Sequence, residues 1–180
     1  MIKKALDFGF DLVHFDGSKL SLEENIAKAK QVVSWAHAKN ILVEGEMDPI
    51  GGRFTDPASA KSFVESTGVD IFAVSIGNDH GVSDHEGIDL DLLRKIKEVL
   101  PNQKFSLHGG SGIPAEQIKQ AINLGVVKVN INSELRMTWK KSLDLTTLEL
   151  AWYKITQKAI DEVAKVVEDK INIFGSSGKI

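Results

Sequence analysis

Short apolar runs alternate with longer stretches of helical periodicity along the whole chain. The runs cover residues 11–16, 41–46, 69–76, 105–108 and 126–131, and each is followed within two residues by Gly, Asn or Asp. Runs of this length, bounded by turn residues, predict buried strands. Ser21-Leu22-Glu23-Glu24 predicts a capping box, and Ile26, Ala29, Val33, Ala36 and His37 lie on one face of the helix it opens, which runs to about Lys39. Asp56-Pro57 predicts a cap followed by Pro at the first helical position, with Gly68 as the stop. Helices are also expected over residues 90–100, 114–125, 133–142 and 148–174, the last carrying Ile155, Ala159, Val163, Val166 and Val167. Residues 2–8 read as the last turns of a helix that Gly9 stops.

The pattern is therefore five strands, each followed by a helix. No Asn-Gly hairpin signal interrupts it. Strand–helix alternation predicts an α/β fold with a parallel sheet and right-handed crossovers. The near-continuous apolar character of the runs predicts strands buried on both faces.

Composition narrows this only a little. With 180 residues, 42% of them apolar and 26% charged, the chain suits one soluble domain over residues 1–180 with a sizeable core. A formal net charge of −3 argues against a general electrostatic binder of nucleic acid. The absence of Cys excludes disulfides and thiolate metal ligands. No apolar run approaches the ~20 residues that span a bilayer. The start, Met1-Ile2-Lys3-Lys4-Ala5-Leu6, lacks the long apolar region of a signal peptide, so a cytoplasmic protein is expected.

Ligands of parallel α/β folds bind beyond the carboxyl ends of the strands. Here those ends carry Asp16-Gly17-Ser18, then Glu44 and Glu46, then Asn78-Asp79-His80, then His108-Gly109-Gly110-Ser111, and finally Asn130, Asn132 and Ser133. Two histidines from successive strand ends, each followed by Gly, suit a divalent metal such as zinc. Gly81, Gly109 and Gly110 allow backbone amides to point inward, and with the Ser111 and Ser133 hydroxyls they suit a phosphate dianion. The helix after Pro114 would add its N-terminal partial charge. His14 lies inside a strand and reads as a hydrogen-bonded core residue, as does His37 on a buried helix face. His85 sits in a polar loop and reads as solvated. Glu44 and Glu46 share a strand face, and a paired or solvated role suits them as well as a metal-related one. Asn130 and Asn132 suit helix caps as well as ligand contacts.

These stretches resemble the class II, metal-dependent fructose-bisphosphate and tagatose-bisphosphate aldolases. The resemblance is carried by Phe15-Asp16-Gly17-Ser18-Lys19-Leu20 with Glu24-Asn25-Ile26, and by Val43-Glu44-Gly45-Glu46 with Ile50-Gly51-Gly52. It continues through Ile76-Gly77-Asn78-Asp79-His80-Gly81, His108-Gly109-Gly110-Ser111-Gly112-Ile113-Pro114 and Lys128-Val129-Asn130-Ile131-Asn132-Ser133-Glu134-Leu135, and ends in Phe174-Gly175-Ser176-Ser177-Gly178-Lys179. It implies a partial TIM (β/α)8 barrel, its last five strands, with the first three missing. It also implies zinc-dependent cleavage of fructose 1,6-bisphosphate to dihydroxyacetone phosphate and glyceraldehyde 3-phosphate.

Residue by residue, the resemblance makes His80 and His108 zinc ligands and Glu46 an alternative one. Gly81, Gly109, Gly110, Ser111 and Ser133 become the phosphate site. Asn130 becomes the catalytic residue near the substrate carbonyl, and Asn132 a substrate contact. Backbone groups near Asp79, Gly81 and Gly109 match a site for a monovalent cation (Na+ or K+). The third histidine ligand and its neighbouring aspartate belong to the missing strands. The loop at residues 51–56 is short and lacks the family's acidic pair. A homo-oligomer or a complementing N-terminal segment is the implied partner. The alternatives carried forward are a truncated or degenerate, non-catalytic sugar-phosphate-binding protein and a tagatose-bisphosphate aldolase.

Overall fold

The computed structural model describes residues 2–52, 54–79, 81, 87–144 and 151–179. The ligand expected at His80 and the solvated role read for His85 lie outside the described residues. The elements in order are α1 (Ile2–Ala5), β1 (Leu12–Asp16), α2 (Leu22–His37), β2 (Leu42–Glu46), α3 (Pro57–Thr67) and β3 (Ile71–Ala73). Then come α4 (Leu90–Val99), β4 (Lys104–Leu107), α5 (Ala115–Asn123), β5 (Val126–Val129), α6 (Ser133–Asp144) and α7 (Trp152–Ile173). The strands form one sheet in the order β1-β2-β3-β4-β5, with every neighbouring pair parallel. No helix among the described residues is long and apolar enough to cross a membrane.

Local chemistry sets the helix ends as the sequence predicts. The Ser21 hydroxyl accepts from the Glu24 amide at 3.3 Å, and Glu24 Oε2 accepts from the Ser21 amide at 3.3 Å. Ser21→Ala removes one half of that box, so thermal unfolding should show a loss of about 1 kcal/mol, within the usual range for a cap. Asp56 caps α3 through the Ser59 amide, Pro57 is its first residue, and Gly68 closes it in the left-handed region at φ 72°.

The two faces of the sheet differ, which departs from the expectation of strands buried apolar on both sides. Val13, Val43, Phe72, Phe105 and Leu107 are buried in the core. Phe63 of α3 packs against Phe72 with ring centroids 5.8 Å apart. Gly45 makes room for this helix, because a Cβ there would lie 3.1 Å from Phe63 Cε1 and 2.8 Å from Val69 Cγ1. The alternate positions face the other way. Register places His14 beside Glu44, Asp16 beside Glu46, and Ser106 beside Lys128. The strands are thus half-apolar with period 2, and the polar half carries the chemistry. Sequence reading underestimated this because buried Glu44 and Ser106, both 0% exposed, sit inside otherwise apolar runs.

β5 carries one extra residue. Phe105 pairs with Val126, but Ser106 pairs with Lys128, so Val127 has no partner and is exposed. Such a bulge re-aims the residues that follow it. His37 also departs from expectation: it is not a core residue. Its ring is half-exposed, and its Nε2 lies 2.9 Å from Asp70 Oδ2, which also accepts from the Val43 amide at 2.8 Å. That bridge ties the end of α2 to the start of β2.

Candidate metal and phosphate site

Glu44 is the hub of the polar face. Its side chain is fully buried, yet three donors from two other strands reach it. Ser106 Oγ donates to Oε1 at 2.8 Å, His108 Nε2 lies 2.6 Å from the same oxygen, and Lys128 Nζ lies 3.0 Å from Oε2. Burial alone would push the Glu44 carboxyl up. The hydrogen bonds from His108 and Lys128, the Lys128 charge and the Ser106 hydroxyl outweigh it and pull the group down to about 2. Glu44 is therefore ionised at neutral pH and matched by Lys128.

The donor inventory then fixes the His108 tautomer. Lys128 Nζ can only donate, and it lies 2.8 Å from Asn130 Oδ1. The Asn130 amide nitrogen consequently faces His108, with Nδ2 at 3.1 Å from Nδ1. Two facing N–H groups would repel, so Nδ1 carries the lone pair and Nε2–H donates to Glu44. A carboxylate that orients a histidine in this way is the usual support for a metal ligand. Lys128 and Asn130 meet His108 and Glu44 because the Val127 bulge sets them on the same face.

Glu46 and His14 complete the neighbourhood. Glu46 is buried, and its carbonyl accepts from Asn25 Nδ2 of α2 at 3.0 Å, which clamps the end of β2. His14 Nε2 lies 3.3 Å from Glu46 Oε2, and the His14 ring stands 5.1 Å from the His108 ring at 43°. His14 is therefore not a core residue. It lies on the polar face with 32% of its side chain exposed. Burial lowers the His14 pKa, but the Glu46 hydrogen bond and the charges of Glu44 and Glu46 together raise it above the ordinary histidine value. Among the described residues, His14, Glu46 and His108 form one group of metal-capable side chains, with ligand atoms within 4.8 Å of one another. Two imidazoles and a carboxylate fit a divalent ion of the zinc class.

The phosphate half lies beside it. Gly81, His108, Gly109, Ser111, Asn130, Asn132, Ser133 and Arg136 line a cavity of about 380 Å³. Six of the residues predicted to bind substrate or phosphate thus share one space. Gly110 does not line it: its N–H donates to the Asn130 carbonyl at 3.0 Å, and a Cβ there would meet Val129 and Ile131. The Ser111 hydroxyl accepts from the Glu134 amide at 3.4 Å, in the first turn of α6. The helix start at this cavity is that of α6, whose Ser133 and Arg136 line it, and no residue of α5 does. Glu134 also accepts from the Gly112 amide at 2.7 Å and pairs with Lys170 of α7 at 2.7 Å, which holds this loop against both helices. Asn78 joins the ends of two strands, accepting from the Ile76 amide at 2.8 Å and donating to the His108 carbonyl at 2.9 Å. A larger groove of about 650 Å³ runs along α6 and is lined by Leu135, Met137, Trp139 and Val163 with Ser133, Arg136 and Lys140. Among the described residues its lining has no histidine or carboxylate.

Sequence reading missed four residues: His14, Glu44 as an orienting group, Lys128 and Arg136. For His14 the signal existed, since period-2 alternation along Leu12-Val13-His14-Phe15-Asp16 puts it on the face of Asp16.

Comparison with known proteins places the chain in a family. The family described as "Fructose-bisphosphate aldolase class-II" matches residues 1–179. The fructose-bisphosphate aldolase of Streptococcus pneumoniae serotype 4 is 40% identical over 200 residues, covering 98% of this chain and 68% of that protein. The 6-phospho-5-dehydro-2-deoxy-D-gluconate aldolase of Shouchella clausii is 37% identical over 191 residues, covering 98% of this chain and 65% of that protein. The crystal structure of the YdjI aldolase from Escherichia coli K12 superposes with a TM-score of 0.85 at 31% identity, covering 99% of this chain and 65% of that one. The chain therefore spans about two thirds of the length of these relatives.

Proposed function

The chain belongs to the class-II fructose-bisphosphate aldolase family, and from that premise we propose that it serves reversible aldol cleavage of a phosphorylated ketose. The reaction is fructose 1,6-bisphosphate to dihydroxyacetone phosphate and glyceraldehyde 3-phosphate. The observation that carries this reading is the meeting of His108 and Asn130 with Gly109, Ser111 and Ser133 around one cavity. A metal-ligand side chain and a phosphate-sized polar nest then share a wall.

In this reading His108, His80 and Glu46 hold zinc, which when bound polarises the substrate carbonyl as a Lewis acid. Glu44 holds His108 in the tautomer whose lone pair is on Nδ1. The amides of Gly81 and Gly109, the hydroxyls of Ser111 and Ser133, and the Arg136 guanidinium hold the phosphate. Asn130, whose amide N–H donates to His108 Nδ1 in the chain alone, would turn that N–H toward the reacting carbonyl region, and Asn132 contacts the sugar. Carbonyls near Asp79, Gly81 and Gly109 serve a monovalent cation. β1 and β5 are the outer strands of the sheet, and the reading has them paired with strands from a second copy or a complementing N-terminal segment. The reaction belongs to the cytoplasm.

A second substrate is supported by the 37% identity to the Shouchella enzyme, nearly that of the Streptococcus one. One experiment separates the readings. The full chain is supplied with zinc and offered fructose 1,6-bisphosphate, tagatose 1,6-bisphosphate or 6-phospho-5-dehydro-2-deoxy-D-gluconate, with product release followed by a coupled assay. Chelator-sensitive release of dihydroxyacetone phosphate from fructose 1,6-bisphosphate is expected. Turnover of either other substrate alone reassigns the activity. Binding of dihydroxyacetone phosphate without turnover, indifferent to chelator, would leave a sugar-phosphate-binding protein.

A further inference from the structure

We propose that His14 is a metal ligand, completing with Glu46 and His108 a three-point site for a divalent cation of the zinc class. The inference rests on reading this face as a metal site and adds a residue to it from β1.

The geometry is specific. His14 and Glu46 come from adjacent parallel strands, and their side chains lean toward each other across the pair to 3.3 Å. Tetrahedral zinc with bonds of about 2.0–2.1 Å separates its ligand atoms by about 3.3 Å. The His14–Glu46 separation is therefore already that of two zinc ligands. The full set lies within 4.8 Å, and small side-chain rotations close the remainder. His108 offers Nδ1, because Nε2–H is held by Glu44, and a cation there would displace the Asn130 N–H that Nδ1 accepts at 3.1 Å.

Charge and access point the same way. Lys128 matches Glu44, whereas the only ion pair of Glu46 among the described residues is with His14. The His14 and His108 rings lie 5.1 Å apart and tilted by 43°, so a dication beside Glu46 would be within reach of both imidazoles. Glu46 and His108 form the floor, with side chains 7% and 10% exposed, while His14 at 32% stands at the mouth where a hydrated ion would arrive.

The test is metal binding by the full chain, read without any substrate. Zn2+ is titrated calorimetrically into the wild type and His14→Asn, and Co2+ is titrated with its visible absorption followed. X-ray absorption at the zinc edge counts the imidazoles. Losing one of about four ligands should weaken Zn2+ by roughly 10²–10³-fold, change the Co2+ spectrum, and leave one imidazole fewer. The His14 side chain is partly exposed, so the unfolding midpoint of metal-free His14→Asn should stay near that of the wild type. Glu46→Gln should weaken Zn2+ while leaving the imidazole count unchanged. Unchanged affinity and imidazole count in His14→Asn, or no Zn2+ bound by the wild type, overturns the proposal. Failure of the aldolase reading looks different: His14-dependent metal binding without cleavage of any ketose phosphate. Zinc-dependent cleavage by a chain whose metal binding ignores His14→Asn would do the reverse.

Discussion

Glu44→Ala should destabilise the metal-free chain by about 3 kcal/mol, the low end for removing one partner of a buried ion pair, because the Lys128 left behind is partly exposed. It should also weaken Zn2+ binding roughly 10–100-fold, the usual cost of losing a group that orients a metal-binding histidine. The two effects have separate causes. Stability falls because Lys128 loses its counter-charge and Ser106 and His108 Nε2 lose their acceptor. Metal affinity falls because His108 is then free to take the other tautomer or to turn. Denaturant unfolding measures the first and calorimetry the second. Replacing Glu44 and Lys128 together by Leu should recover part of the stability and none of the metal affinity, which a double-mutant cycle would resolve. Equal stability of Glu44→Ala and wild type would refute the hub.

The same residue predicts an acid limb. The Glu44 carboxyl is depressed in the folded chain from 4.5 to about 2. Its contribution is therefore fully present above pH about 4.5 and is lost as pH falls toward 2. The difference corresponds to roughly 3 kcal/mol, and Glu44→Gln should flatten stability across that window.

Gly109→Ala is the second large effect. Gly109 sits at φ 62°, and a Cβ there would lie 2.0 Å from the Asp79 carbonyl oxygen. The left-handed conformation costs a non-glycine residue about 1–2 kcal/mol. The overlap is with backbone, so no side chain can swing aside, and overpacking adds about 1–3 kcal/mol. A total loss of about 2–5 kcal/mol is expected by denaturant unfolding. Because Gly109 joins His108 to the phosphate cavity, dihydroxyacetone phosphate binding should fall at least in parallel. A variant that unfolds like the wild type would show that the β3–β4 loops yield easily.

Much of the frame was legible because local signals set it. The capping box at Ser21, the Asp56-Pro57 start and the Gly68 stop all stand where sequence puts them. The parallel direction of the strands followed from alternation, and their sequential order from the resemblance to a barrel family. The His108-Gly109-Gly110-Ser111 turn was identifiable from residue types, although Gly110 spends its amide inside the fold. Contacts between residues far apart in sequence were not legible. Glu44 meets Ser106, His108 and Lys128 across three strands, and nothing near Glu44 announces them. His14 looked like a core residue because its neighbours Val13 and Phe15 are apolar, yet they belong to the other face. His37 looked buried by helical spacing, but its partner Asp70 draws it to the edge.

The extra residue in β5 makes that strand two segments whose alternation is out of phase, joined at Val127. Strict alternation from Val126 would turn Lys128 and Asn130 toward the helices, away from Glu44 and His108. Removing Val127 leaves both on the polar face, because the two segments then run on in a single alternation. Removing Val129 instead turns Asn130 over. In β5 the site is therefore encoded by a count of residues as well as by their kinds, and a length change has one place where it is silent and others where it is not.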